Sequence, residues 1–232
     1  MKRFGLIAIL LALLIAAEAL GHIPTPSFLL GRMASQRTKM GVRRLKVNMQ
    51  CKRGDQEAVE HVLYLKVNGL VRRERGKQSV EVCKAGQCWI KHGSDQPKRL
   101  PKWAILPYLY FVEFDVKGSR YLALLESLNV NTKANTISRF HSRLAVILGA
   151  KNWERDRPQF WLDKDSFLPL RLMFLDGKTL VDIMWIKWGT KVSGDWFPSI
   201  LEQRHDGKVV ERCEVTGVES GVSMPESLFK LQ

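Results

Sequence analysis

The sequence predicts a mainly β protein of the α+β class, in which a curved antiparallel sheet is covered by a few short helices. Residues 159–217 contain short runs rich in Val, Ile, Leu, Phe and Trp, separated by Asp-Gly or other Gly-containing turns. Runs of this length and spacing are typical of consecutive antiparallel hairpins. Several runs are apolar on both faces, so the sheet must either be covered twice or curl around an apolar interior.

Side chains within this C-terminal meander divide between two faces, because successive residues of a strand point to opposite sides of the sheet. One face collects Leu170, Leu172, Phe174, Val181, Ile183 and Trp185. Arg171 and Asp182 fall on the other face. Apolar residues that also need cover are Met173, Leu175, Met184, Ile186 and Trp188.

The first 19 residues have the pattern of a secretory signal. Lys2 and Arg3 precede an apolar run from Phe4 to Ala17, and Ala17-Glu18-Ala19 is suited to cleavage. The apolar run is shorter than the ~20 residues that span a bilayer. Export with cleavage is therefore expected, and an uncleaved anchor is the alternative. With no Cys between this segment and Cys51, the chain is not expected to be lipidated itself.

The mature chain is predicted to begin with a helix over about residues 26–39. Thr25 can cap it, Pro26 suits its first position and Gly41 can end it. Alternation of apolar and polar side chains, together with an Asn68-Gly69 hairpin turn, then predicts five strands. These cover residues 45–51, 58–67, 70–75, 79–83 and 88–92.

Two helices are expected where this strand pattern stops. Trp103–Val116 is the less certain one, since Pro107 would interrupt it and residues 108–112 are equally suited to an extended strand. Ser119–Leu128 has an apolar stripe at helical spacing, and Ser119 can cap it. Strands resume at about 136–141 and 143–149, and residues 221–232 are expected to form a loop and a short terminal strand.

The chain is strongly basic, with a formal net charge of +14 at pH 7. Such a charge favours anionic partners. For an exported protein these are an anionic membrane surface, lipopolysaccharide or an acidic envelope protein, and nucleic acid is not expected. A local cationic cluster comprises Arg72, Arg73, Arg75 and Lys77. The cluster is either a solvated face or a docking patch for anionic groups.

Four cysteines in an exported chain indicate disulfides. Cys83 and Cys88 flank a four-residue hairpin loop, so they are suited to pair across its base. Cys51 and Cys213 would then pair by elimination. Metal binding by the four is the alternative, although the spacing lacks paired Cys-x-x-Cys units.

The sequence contains no convincing catalytic motif. The five histidines are dispersed, without a His-x-x-x-His pair, and there is no Gly-rich phosphate loop. Ser227-Leu228-Phe229-Lys230 matches Ser-x-x-Lys, but the other elements of a serine acyl-enzyme site are missing from the sequence. We therefore expect neither an enzyme nor a cofactor or resident metal.

Four short motifs occur in a characteristic order in the C-terminal half. They are Trp161-Leu162-Asp163, Leu168-Pro169-Leu170-Arg171, Gly194-Asp195-Trp196-Phe197-Pro198 and Pro225-Glu226-Ser227-Leu228-Phe229. Together they resemble the outer-membrane lipoprotein-sorting (LolA-like) family, and residues 63–66 and 72–74 resemble its second and third strands. The resemblance implies a single domain over residues 20–232, with an incomplete β-barrel closed by a helical lid at about 101–129.

By this resemblance the protein would be a monomeric periplasmic carrier that encloses the acyl chains of lipoproteins or lipids. One departure concerns the sorting carriers' Arg-Pro pair after the second strand, which is linked to lid control. Here Val67-Asn68-Gly69 follows Lys66. The same fold also serves envelope sensors that bind a lipid or a misfolded protein and regulate a partner.

Fourteen apolar residues are candidates for the lining of such a cavity, because a curved apolar sheet closed by helices can hold an acyl chain without a catalytic group. The candidates are Leu45, Val47, Leu63, Leu65, Leu170, Leu172, Phe174, Val181, Ile183 and Trp185 from the sheet, and Trp103, Leu106, Leu122 and Leu125 from the lid. Alternatively they form an ordinary core, and the protein is an envelope sensor or structural protein that docks a partner through its basic face.

Overall fold

The computed structural model describes residues 24–113, 117–151 and 153–231. The predicted signal segment at residues 1–19 lies outside these ranges. Within them, no helix combines the length and the apolar character that a membrane crossing requires.

Thirteen strands form one continuous antiparallel sheet. They are β1 (Arg44–Lys52), β2 (Val59–Lys66), β3 (Leu70–Arg75), β4 (Ser79–Lys84), β5 (Gln87–His92), β6 (Lys98–Arg99), β7 (Asn135–Phe140), β8 (Arg143–Leu148), β9 (Gln159–Asp163), β10 (Pro169–Asp176), β11 (Thr179–Ile186), β12 (Ile200–His205) and β13 (Lys208–Ser220). Their spatial order is β6-β5-β4-β3-β2-β1-β13-β12-β11-β10-β9-β8-β7.

This order describes two meanders joined at a central seam between the first strand and the last. Every other neighbouring pair is consecutive in sequence, whereas β1 pairs with β13, with Leu45 opposite Ser220 and Cys51 opposite Cys213. The two ends of the sheet, β6 and β7, do not pair with each other. The sheet is therefore curved but unclosed, which confirms the predicted incomplete barrel.

Three α-helices accompany the sheet within the described residues. They are α1 (Pro26–Lys39), α2 (Leu106–Val112) and α3 (Ser119–Ser127), with 3-10 turns at Lys102–Ile105 and Glu226–Phe229. The predicted first helix is confirmed, including its cap, since the Thr25 hydroxyl accepts from the amide of Phe28 at 3.3 Å. Helix α1 buries Leu29, Leu30 and Met33 in the main core.

Three local predictions are wrong, each for a physical reason. Pro107 lies in the first turn of α2, where its missing N–H is not needed, so it begins the helix rather than interrupting it. Ser119 is the first helical residue and makes no cap, because Gly118 occupies the N-cap position with a φ of 73°. The predicted terminal strand is instead the 3-10 turn Glu226–Phe229.

Both disulfides are present and agree with the expected pairing. Cys83–Cys88 closes the β4–β5 hairpin, and Cys51–Cys213 crosses the seam between β1 and β13. A separate, smaller apolar cluster, made by Leu70, Val82, Met224 and Phe229, packs the C-terminal segment against β3 and β4. Most of the remaining buried apolar side chains belong to one large core.

Candidate functional site

The fourteen candidate lining residues all lie in the main apolar core. Twelve of them are buried, and Trp103 and Leu122 are half-buried at its margin. The structure thus brings every candidate from sheet and helices into one cluster. Four of them border the small gap that the core leaves, namely Leu106, Leu125, Leu172 and Trp185.

This gap lies between the three helices and the sheet and measures about 30 Å³. A single water occupies roughly 10–15 Å³ on the same measure, so the gap has no room for an acyl chain in this conformation. Its walls are almost entirely apolar. The residues that complete the lining are Met33, Leu109, Tyr110, Tyr121, Leu124, Phe160 and Pro169.

Helix α2 is fixed firmly on the sheet. Six of its seven residues are buried. Its backbone is also tied to its surroundings by side chains: Trp185 Nε1 donates to the Pro107 carbonyl at 3.0 Å, and Arg37 Nη2 donates to the Phe111 carbonyl at 2.7 Å. Displacing α2 would break both of these buried hydrogen bonds, which is costly.

Helix α3 is buried less deeply than α2, although the Tyr121 hydroxyl donates to the Glu113 carbonyl at 3.4 Å and Arg120 pairs with Glu113. Of its residues only Tyr121 and Leu125 are buried, while Leu122 and Leu124 are half-buried. Full burial of two large side chains contributes about 3 to 6 kcal/mol. Of the two helices in the predicted lid, α3 therefore exposes the fewer buried side chains when it moves away from the gap.

A buried polar cluster lies beside α2, where β2, β3 and β13 meet. Arg73 is 4% exposed. Its Nε donates to Nδ1 of His61 at 3.1 Å, and its Nη2 donates to Glu211 at 2.7 Å. The same guanidinium lies 3.5 Å from the sulfur of Cys213 and 3.7 Å from that of Cys51.

The charge states of this cluster follow from its contacts. Burial lowers the pKa of His61 to about 3, and the neighbouring charge of Arg73 acts in the same direction. The ring is thus neutral at pH 7, with Nδ1 as the acceptor. Burial alone would raise the pKa of Glu211, but Arg73 and Arg53 outweigh it and hold that pKa at about 2.

Cys51, His61 and Cys213 bring potential metal-ligand atoms within 4.8 Å of one another. In this structure the two sulfurs form a disulfide, so neither is a thiolate. The adjacent guanidinium of Arg73 also disfavours a cation there. This set of donors does not fit a resident metal.

Comparison with known proteins rests on structure. No model of a protein family matches the chain, and a search of curated proteins finds no match. A LolA superfamily protein from Nitrosomonas europaea superposes with a TM-score of 0.52 at 12% identity, covering 90% of this chain and 99% of that one. A DUF1329 family protein from Desulfovibrio piger gives 0.53 at 13% identity, covering 89% and 98%.

The chain has the LolA-like fold. A putative outer membrane lipoprotein-sorting protein domain from Vibrio parahaemolyticus is also similar, with a TM-score of 0.41 at 13% identity and with 86% and 95% of the two chains covered. At identities this low the similarity concerns the fold. The superposition on the LolA superfamily protein confirms, for the fold, the LolA-like resemblance that the C-terminal motifs indicated.

In this LolA-like chain the sequence interpretation missed one feature of the site. It grouped Arg73 with Arg72 and Lys77 in one cationic cluster, although alternation along β3 separates Arg72 from Arg73. Arg73 instead joins the interior, with Leu63 as its cross-strand neighbour. The alternation of side chains along β3 could have revealed this, because it places Arg73 and Arg75 on the same face as Val71.

Proposed function

We propose that the protein is a periplasmic binding protein that encloses acyl chains of lipids or lipoproteins between its sheet and its helices, without a catalytic step and as a monomer. The observation that carries this proposal is the apolar gap beneath the less deeply buried helix α3. The two disulfides suit an oxidising compartment such as the periplasm.

The free energies involved favour opening by a ligand. Lifting α3 removes the burial of two side chains, about 3 to 6 kcal/mol. A chain of about twelve buried methylenes would contribute about 10 kcal/mol. An acyl chain can therefore replace Tyr121 and Leu125 as the apolar partner of Leu172 and Trp185, whereas a chain of a few carbons cannot.

The test is native mass spectrometry of the mature protein, purified from the periplasm without detergent, combined with lipid extraction and with titration of a fluorescent fatty acid. Co-purifying lipid or acylated protein, or saturable uptake of the fatty acid, is the expected result. A ligand-free mass with no uptake would mean that the interior is a permanently filled core.

A second candidate function is an envelope interaction protein that docks an acidic partner through its basic face. It is favoured by a groove of about 460 Å³ beneath the C-terminal segment. The charged residues that line this C-terminal groove are all cations, namely Arg72, Lys77, Lys91 and Lys230. Pull-down from periplasmic extract, lost in a Lys77→Glu/Lys230→Glu variant that still binds fatty acid, would favour this function.

A further inference from the structure

A second large groove opens at the other face of β3, beside the buried Arg73. It measures about 480 Å³ and runs between β3–β5, β12–β13 and the segment that leads into α2. We name it the arginine groove after Arg53, Arg73 and Arg75, which all line it. The C-terminal groove is separate, because it is lined by Arg72 on the opposite face.

The cationic wall of the arginine groove is not fully neutralised. Its three guanidinium groups face two carboxylates: Arg53 and Arg73 both pair with Glu211, each at 2.7 Å, and Arg75 pairs with Glu81. One positive charge is therefore in excess. Such an excess next to a largely buried surface favours an anion of matching geometry.

Arg75 is the group that an anion would satisfy. Its side chain is only 13% exposed. Its Nε has no hydrogen-bond partner among the residues that the structure describes. Burial lowers the pKa of Arg75 to about 10, and the neighbouring charges of Arg73 and Arg53 act in the same direction. A buried donor without an acceptor costs about 1–3 kcal/mol, and an oxyanion would recover that cost.

Apolar side chains also line the groove. They are Ile90, Leu100, Pro101 and Trp103. The indole is held in place, because Nε1 donates to Asp176 at 2.6 Å and the ring meets the His205 ring edge-to-face at 5.9 Å between centroids. A ligand in this groove thus meets both guanidinium groups and an apolar surface that includes an immobilised indole.

Helix α2 is the partition between the arginine groove and the apolar gap. Pro107 and Tyr108 face the groove, whereas Leu106 and Leu109 face the gap under α3. One short helix therefore separates a site suited to an anion from a site suited to a hydrocarbon chain. The two sites are adjacent on either side of α2, so an amphiphile that occupies both must pass around one end of this helix.

We propose that the arginine groove binds the anionic headgroup, a phosphate or a carboxylate, of the amphiphile whose acyl chain enters the apolar interior. This inference deepens the proposed function and rests on it for the acyl chain, while the anion site rests on the groove alone. A guanidinium fork matches both oxyanions in a bidentate manner. The ligand class is thus an anionic lipid rather than a neutral one.

The test measures affinities by quenching of tryptophan fluorescence and by calorimetry for four probes: a long-chain fatty acid, the fatty alcohol of the same length, a lysophosphatidic acid and inorganic phosphate. The variants are Arg75→Gln and Arg72→Gln. Both changes remove one charge from β3, but Arg72 lies on the opposite face and lines the C-terminal groove. Melting temperatures show whether each variant is folded, and Arg75→Lys keeps the charge without the fork.

We expect the wild-type protein to bind the acid and the lysophosphatidic acid at least tenfold more tightly than the alcohol. Arg75→Gln should abolish this preference without weakening binding of the alcohol, Arg72→Gln should preserve it, and Arg75→Lys should restore it in part. Equal affinity for acid and alcohol in the wild-type protein, or equal losses in Arg75→Gln and Arg72→Gln, would overturn the inference.

Binding of inorganic phosphate tests the anion site separately from the acyl-chain function. If phosphate binds to the wild-type protein but not to Arg75→Gln, while none of the amphiphiles binds, the groove is an anion site and the acyl-chain function fails. If the alcohol binds and no anion is preferred in any variant, the acyl-chain function stands and the anion site is refuted. Phosphate binding together with acid preference identifies the groove as a site that also accepts the free anion.

Discussion

Gly118, at the start of α3, lies directly against the backbone of Leu30 in α1. A Cβ placed on Gly118 would come within 2.5 Å of the Leu30 carbonyl carbon and 2.6 Å of the Gly31 nitrogen. These atoms belong to the helical backbone of α1, which cannot yield as a flexible side chain does. The absence of a side chain at Gly118 is therefore what allows α3 to close over the apolar gap.

We predict that Gly118→Ala opens the interior. The added methyl group must push α3 away from α1, so binding of an environment-sensitive apolar dye should rise severalfold and fatty-acid uptake should become faster. The matched control is Gly221→Ala, because Gly221 has the same φ of 73° but open space around its Cβ position. Both variants carry the strain of a left-handed alanine, about 1–2 kcal/mol, and only the first has the clash.

Stopped-flow fluorescence of dye and fatty-acid binding measures the effect. If both variants lose stability equally and neither changes its uptake, α3 is not a gate. A rise in uptake for Gly118→Ala alone would identify the contact between α1 and α3 as the closed position of the lid.

We predict that Leu122→Asp weakens ligand retention more than it weakens folding. Leu122 is half-buried on α3 and packs against the main core, so a charge there penalises the covered, ligand-bound state. The control is Leu175→Asp, since Leu175 is a 50% exposed apolar residue of β10. Dissociation rates of a fluorescent fatty acid should increase about tenfold for Leu122→Asp only. Parallel losses of retention and melting temperature would argue against a lid.

The two disulfides should contribute unequally to stability. Cys51–Cys213 links residues 162 apart, whereas Cys83–Cys88 links residues 5 apart. In the chain-entropy model the larger loop stabilises by about 5 kcal/mol and the smaller by about 2 kcal/mol. Double Cys→Ala variants compared by urea unfolding give the two values. A greater loss from Cys83/Cys88 would show that the seam is stabilised mainly by its strand pairing.

Acid should destabilise the protein through His61 well before the carboxylates titrate. The folded-state pKa of His61 is about 3, below its ordinary value of 6.5. Between these values the unfolded chain binds a proton that the folded chain does not, so stability is present above pH 6.5 and is lost as the pH falls, by up to about 1.4 kcal/mol per pH unit. Glu211, with a folded-state pKa of about 2, adds a further loss below about pH 4.5.

Urea unfolding between pH 7 and 5 checks this prediction. His61→Gln keeps an acceptor for Arg73 but does not titrate, so its stability should vary much less in this window. His92→Gln, which changes an exposed histidine at the end of β5, should retain the slope of the wild-type protein. An unchanged slope in His61→Gln would mean that another group dominates the acid response.

Local sequence signals were sufficient for most of the fold. The Asn68-Gly69 and Asp176-Gly177 signals both mark hairpins: residues 67–69 join β2 to β3, and Gly177-Lys178 joins β10 to β11. Strict alternation along β1 places Leu45 and Val47 in the core. These signals depend on neighbouring residues alone. The Cys83–Cys88 pairing was likewise visible, because a hairpin with a short loop brings its flanking residues together.

Features that depend on residues far apart in the sequence could not be predicted from local signals. Ser119 satisfies the local rule for a cap, yet Gly118 takes that position because α1 passes so close. Whether Leu172 and Trp185 line a cavity or fill a core depends on the volume of the side chains from α1, α2 and α3 that meet them. Apolar side chains that alternate with a period of two along a strand are compatible with both outcomes.

The seam between β1 and β13 also constrains how the chain can fold. The first strand has β2 on one side, and its other neighbour is β13, the last strand in sequence. Pairings between residues so far apart in sequence are slow to form. Until residues 208–220 arrive, β1 presents an open edge with the Cys51 thiol unpaired. Completion of the sheet and formation of the Cys51–Cys213 disulfide must therefore both wait until β13 is available to pair.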